Sequence, residues 1–112
     1  MKLLIIGSRC IESFDLSDFI SKDTDLIISG GAKGVDYIAE KYADENNISK
    51  LILRPKYKKY GKAAPLKRNQ EMIHLADEIL VIWDGVSKGT KYSIEYAKKC
   101  NKSIKVIIKD KQ

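Results

Sequence analysis

The stretch Leu26-Ile27-Ile28-Ser29-Gly30-Gly31-Ala32-Lys33-Gly34-Val35-Asp36 is the key to the architecture. A short β-branched run leads into a glycine turn, and beyond it the apolar residues fall at Val35, Ile38, Ala39, Tyr42 and Ala43. The first pattern is that of a buried strand, the second that of one face of a helix. Strand, glycine turn and helix N-terminus together make a phosphate-cradling layout. Glycines let an anion approach the backbone closely, and the free N–H groups and dipole of the helix favour negative charge. Two further turns, Gly7-Ser8-Arg9 and Gly85-Val86-Ser87-Lys88-Gly89-Thr90, follow apolar runs in the same way.

On either side of this unit the pattern repeats. Residues 3–6, 25–29, 50–53, 78–83 and 104–108 read as strands. Helices are expected from Val35 to near Asn46-Asn47, from Ala64-Pro65 onward, and over residues 90–100, with one or two helical turns within residues 15–20. Proline is welcome at a helix's first position. Phe14, Phe19, Ile20, Leu66, Ile73, Ala76, Ile94, Ala97 and Cys100 are expected to face inward, with Met72 alongside, and residues 54–63 to form a long loop. Alternating strands and helices with β-branched strands imply α/β architecture: a parallel sheet covered on both faces. Ligands of such sheets bind outside the carboxyl ends of the strands, where all three glycine turns fall.

The 112 residues suit one domain, 1–112, able to bury a real core. The first apolar run, Leu3 to Ile6, is too short for a signal-peptide core or a membrane span, so a cytoplasmic protein with no membrane partner is expected. Cys10 and Cys100 have no metal-type spacing and read as reduced thiols. No metal-ligand cluster is present, and the single histidine, His74, has no triad around it. The net charge of +6 is uneven: residues 54–68 hold Arg54, Lys56, Lys58, Lys59, Lys62, Lys67 and Arg68 without an acid, interleaved with Tyr57 and Tyr60. A second basic group runs from Lys98 to Lys111. Such fields attract phosphates.

The ordered set Gly7-Ser8-Arg9, Gly30-Gly31-Ala32-Lys33-Gly34-Val35-Asp36, Tyr60-Gly61-Lys62-Ala63-Ala64 with Arg68-Asn69 and Met72, then Asp84-Gly85-Val86-Ser87-Lys88-Gly89-Thr90 resembles the YspA/YpsA-related branch of the SLOG superfamily. That superfamily also holds DprA, molybdenum-cofactor carrier proteins and the LOG phosphoribohydrolases. The resemblance implies a Rossmann-like three-layer α/β/α fold with a five-stranded parallel sheet in the order 3-2-1-4-5. It also implies a nucleotide-type ligand, such as a nucleoside mono- or diphosphate, ADP-ribose or a related NAD derivative, with no required cofactor. LOG enzymes cleave an N-glycosidic bond with an arginine before the fourth strand and a glutamate just after the last Gly-Thr. Arg68 fits the arginine, whereas the nearest acid, Glu95, lies one to two residues beyond the expected place.

The expected ligand-binding residues are Gly7, Ser8, Arg9, Gly30, Gly31, Ala32, Lys33, Gly34, Asp36, Arg68, Asn69, Gly85, Ser87, Gly89 and Thr90; Arg68 and Glu95 are the catalytic pair if the ligand is turned over. Arg9 and Arg68 offer planar forks for a phosphate, and Asp36 can accept from ribose hydroxyls or complement the helix dipole. Trp83 reads as core, pocket wall or a base-stacking surface. The leading expectation is a sensor- or carrier-type binder of a phosphate or diphosphate ligand, with a LOG-like hydrolase as alternative. A third expectation, single-stranded nucleic acid, comes from analogy with DprA and from the basic stretch with its tyrosines. Homo-oligomerisation is left open.

Overall fold

A computed structural model describes residues 1–109. Its elements are β1 (Lys2–Gly7), a 3-10 turn (Ser17–Phe19), β2 (Leu26–Ser29), α1 (Val35–Glu45), β3 (Ser49–Ile52), α2 (Tyr57–Tyr60), a second 3-10 turn (Gly61–Ala63), α3 (Ala64–Leu75), β4 (Glu78–Trp83), α4 (Lys88–Lys99) and β5 (Ser103–Ile108). The five strands form one sheet in the order β3-β2-β1-β4-β5, and every pairing is parallel. This is the three-layer α/β arrangement expected of a Rossmann-like fold.

Side chains alternate across a strand, so an unbroken apolar run feeds two cores at once. Leu3 and Ile5 of β1, Ile27 of β2, and Leu80 and Ile82 of β4 pack on Val35, Ala39 and Ala43 of α1. Leu4, Ile6, Ile28, Ile79 and Val81 point the other way, onto Met72 and Ile73 of α3 and Ile94 and Ala97 of α4. Each fully buried Leu or Ile contributes about 1.5–3 kcal/mol. Asn47 and Asn101 end α1 and α4 in the left-handed region, with φ of 55° and 57°. The following amides, Ile48 and Lys102, reach back to the carbonyls of Ala43 and Ala97, which closes each helix with a Schellman-type turn.

Three sequence expectations change. Leu66 is 40% exposed instead of inward, because the inner face of α3 runs through Ala64, Arg68 and Met72. The long loop over residues 54–63 contains the helical turn α2 and the second 3-10 turn. Finally, β3 and β5 are edge strands with exposed residues such as Leu51 and Ile108, so double-sided burial holds only for the inner strands. Of the C-terminal basic group, Lys111 lies outside the described residues.

Candidate functional site

The chain reverses its direction of winding between β1, the central strand of the sheet, and its neighbour β4. Loops leaving their carboxyl ends must diverge to opposite faces there, and the gap is the natural ligand crevice of an open α/β sheet. A cleft of about 540 Å³ occupies it. From the end of β1 come Gly7, Ser8, Arg9 and Cys10; from the turn into α1, Ala32 and Asp36; from α3, Pro65, Leu66, Arg68, Asn69 and Met72. Asp84, Val86, Ser87, Gly89, Thr90 and Ser93 close it from the β4–α4 side.

Ser8 ties the floor together. Its amide donates to the Ile82 carbonyl (3.1 Å), its carbonyl accepts from the Val35 amide (3.3 Å), and its hydroxyl accepts from the Asp84 amide (3.0 Å). It is buried and fixes β1, α1 and β4 relative to one another. Above it, α3 is pinned to α4 by a ladder of side chains. Asn69 donates to Ser93 (3.2 Å), Gln70 donates to the Tyr92 hydroxyl (2.7 Å), and His74 meets the Tyr96 hydroxyl (2.7 Å). This ladder sets the height of Arg68 over the cleft.

Arg68 is only 8% exposed. Its Nη1 donates to the carbonyls of Gly30 (2.5 Å) and Leu53 (3.2 Å), and its Nε donates to Asn69 (2.7 Å). Nη2 has no partner among the described residues and is not sealed from solvent. Burial pulls the guanidinium below its usual range, opposed by the nearby Asp36. Even so, an arginine stays charged. A buried cation with unused donors in a cleft is a ready anion partner.

The two glycine loops flanking the cleft behave differently. In the first, the carbonyls of Gly30 and Gly31 are held by Arg68 and Arg54, and the Ala32 amide donates to Asp36 Oδ2 (3.2 Å). A Cβ on Gly30 would lie 2.7 Å from Arg68 Nη1 and 2.9 Å from Asp36 Oδ2. The glycine is needed for side chains of this protein to approach. Asp36 is 6% exposed; burial raises its carboxyl above the ordinary range, against the opposing pull of the Ala32 amide and of Arg68. Gly31, Lys33 and Gly34 turn away from the cleft and, with Ala32, Glu12 and Tyr37, line a separate cavity of about 300 Å³.

In the second loop the acid lies before the helix, not in its first turn. Asp84 accepts from the amides of Val86 (2.9 Å) and Ser87 (2.8 Å) and from the Ser87 hydroxyl (2.8 Å), and the Cys10 thiol donates to it (3.2 Å). The two amides hold its carboxyl well below the usual carboxylate range. The amides of Lys88, Gly89 and Thr90, at the start of α4, have no partner among the described residues, and neither does the Thr90 hydroxyl. Gly89 and Thr90 face the cleft, so an open helix N-terminus looks across it toward Arg68.

Of the expected site residues, Gly7, Ser8, Arg9, Ala32, Asp36, Arg68, Asn69, Ser87, Gly89 and Thr90 meet in the cleft. Arg9 is exposed and makes no ion pair among the described residues. Gly30 lies behind Arg68 and Asp36, and Gly85 turns toward Ile108 of β5, so neither reaches it. Glu95 corrects an expectation: it is exposed on α4 outside the cleft, because Thr90, Ser93, Ile94 and Ala97 take the inner face. Trp83 does not line the cleft either; its indole N–H braces the Ser87 carbonyl (3.1 Å). Sequence reasoning missed Cys10, Asp84 and Ser93 as cleft residues. Asp84 carried a signal, an acid directly after a strand and at the head of a glycine turn, which is an Asx-turn pattern.

No family model matches this chain, and no solved structure matches it. It is similar to the Gene 61 protein of Mycobacterium phage D29, with 32% identity over 80 residues. That stretch covers 66% of this chain and 64% of the phage protein, so the chain spans less than two thirds of that relative's length.

Proposed function

We propose that the protein binds a phosphate-bearing small ligand of nucleotide type in the cleft between β1 and β4. The observation that carries this reading is the buried guanidinium of Arg68. Its Nη2 is unspent and shares the cleft with the open N-terminus of α4. A hydrogen bond to a charged group contributes about 1.5–3 kcal/mol, and a helix terminus adds up to about 2 when partly buried. Two or three such contacts suit micromolar affinity, about −8 kcal/mol. Exposed Arg9 at the cleft mouth adds positive potential that draws anions in.

A thermal-shift panel of nucleoside monophosphates, ADP-ribose and inorganic phosphate tests it. A ligand at about a hundredfold over its Kd adds roughly 2.7 kcal/mol, several degrees in Tm for a domain of this size. The shift is expected to fall in Arg68→Lys, which keeps the charge but not the fork, and in Thr90→Val. Shifts that survive both variants would place the anion elsewhere.

A second reading has its own observation. Residues 46–70 contain no Asp or Glu and eight Lys or Arg. On the α2 turn within them, Tyr57 is 59% exposed, beside Lys58 and Lys59. Cations with accessible aromatic faces suit single-stranded nucleic acid. Binding of an oligonucleotide that weakens steeply with salt and is lost in Tyr57→Ala/Tyr60→Ala would favour that reading.

A further inference from the structure

We propose that Asp36 sets the specificity of the cleft: its carboxylate accepts the hydroxyls of a sugar phosphomonoester and bars a second phosphate from the side of residues 30–34. This rests on the reading that a phosphate binds between Arg68 and the start of α4.

Three observations lead there. Asp36 is almost fully buried, yet it lines the cleft together with Arg68. One of its oxygens takes the Ala32 amide, while the other has no partner among the described residues and is not sealed off. Neither Arg68 nor Arg9 forms an ion pair with it, although all three line one cleft. The protein thus leaves one oxygen of a nearly buried carboxylate without a hydrogen-bond donor, while Arg68 and Arg9 act on it only through space. An ionised carboxylate is acceptor-only. Placed where the sequence pattern suggests a phosphate cradle, it rejects a second anion by charge and selects O–H donors, which is discrimination through a repulsive element. The cleft therefore offers anion contacts at Arg68, Gly89 and Thr90 and, beside Arg68 where both border Gly30, a hydroxyl acceptor at Asp36.

Isothermal titration calorimetry on the intact chain tests this with adenosine 5′-monophosphate, its 2′,3′-dideoxy analogue, ribose 5-phosphate, ADP-ribose and inorganic phosphate. The monophosphate is expected to bind roughly tenfold or more tighter than the dideoxy analogue, and tighter than the diphosphate ADP-ribose. In Asp36→Asn the hydroxyl discrimination should shrink while inorganic phosphate binds at least as well. Tighter binding of the nucleotide than of ribose 5-phosphate identifies a nucleoside monophosphate; equal binding identifies a free sugar phosphate. Equal affinity for the monophosphate and its dideoxy analogue overturns the inference but leaves the phosphate site standing. That comparison needs only the wild-type chain. If no phosphate compound binds, the phosphate reading fails and takes this inference with it.

Discussion

The two glycine loops that flank the cleft have similar composition and opposite electrostatic outcomes. In the loop before α1 the acid, Asp36, falls in the first turn of the helix and presents a carboxylate to the cleft. In the loop before α4 the acid, Asp84, falls ahead of the helix and caps the turn that leads into it. The helix start is then left open. Burial raises one carboxyl, and amide hydrogen bonds lower the other. Glycine content alone therefore does not make an anion site. Neither helix start has a side-chain cap; the loops differ in that an acid, Asp36, stands in the first turn of α1 and none stands in the first turn of α4.

The largest expected difference between the loops is at their glycines. Gly34 has φ of +78°, and a Cβ there would lie 2.5 Å from the Ser8 carbonyl oxygen and 2.6 Å from Arg9 Cα. Both are backbone atoms that cannot step aside. Gly34→Ala should therefore destabilise by about 3 kcal/mol or more in urea unfolding. A Cβ on Gly89 meets nothing within 4 Å, so Gly89→Ala in the first turn of α4 should be neutral or stabilise by up to about 1 kcal/mol. Equal losses from the two would erase the contrast.

Next in size is Arg68→Ala. It leaves the Gly30 and Leu53 carbonyls without their donor, and should lower stability by about 3 kcal/mol while abolishing ligand-induced thermal shifts. A variant that folds as well as the wild type would show that the first loop does not depend on this guanidinium.

The two acids give the smaller effects, of opposite sign. Asp84→Ala removes the cap of the Val86 and Ser87 amides and should cost about 1 kcal/mol. Because the folded-state pKa is lowered, that contribution is present above the unfolded-state pKa and fades as pH falls toward the folded-state value. Asp36→Asn keeps an acceptor for Ala32 but removes a desolvated charge, so it should raise the neutral-pH Tm of the ligand-free protein slightly. Here the folded-state pKa is raised, and the penalty grows as pH climbs through it. The advantage of the variant should vanish below the unfolded carboxyl pKa. A pH series of melting curves checks both acids, and parallel profiles would contradict the assignment.

Much of this architecture is legible in the amino-acid sequence. The five strands and the three main helices lie within one or two residues of their expected places, because continuous β-branched runs and 3.6-residue periodicity report burial directly. Ten of the fifteen expected binding residues share one cleft, because loops at the carboxyl edge of a parallel sheet have nowhere else to converge. Leu66 and Glu95 depart from expectation for a common reason. Helical spacing gives a face but not what stands opposite it: the inner face of α3 runs through Ala64, Arg68 and Met72 and that of α4 through Thr90, Ser93, Ile94 and Ala97, which leaves positions 66 and 95 outward.

Local periodicity and glycine placement thus specify the parallel α/β architecture and the edge at which the cleft opens. Where each acid falls relative to its helix start is local, whereas how deeply Asp36 and Arg68 are buried beside the cleft is a matter of tertiary packing. It depends on contacts between Arg68 and Gly30, 38 residues apart, and between Asp84 and Ser8, 76 residues apart. Desolvation and hydrogen bonding at such distances along the chain are properties of the packed molecule, and no local pattern encodes them.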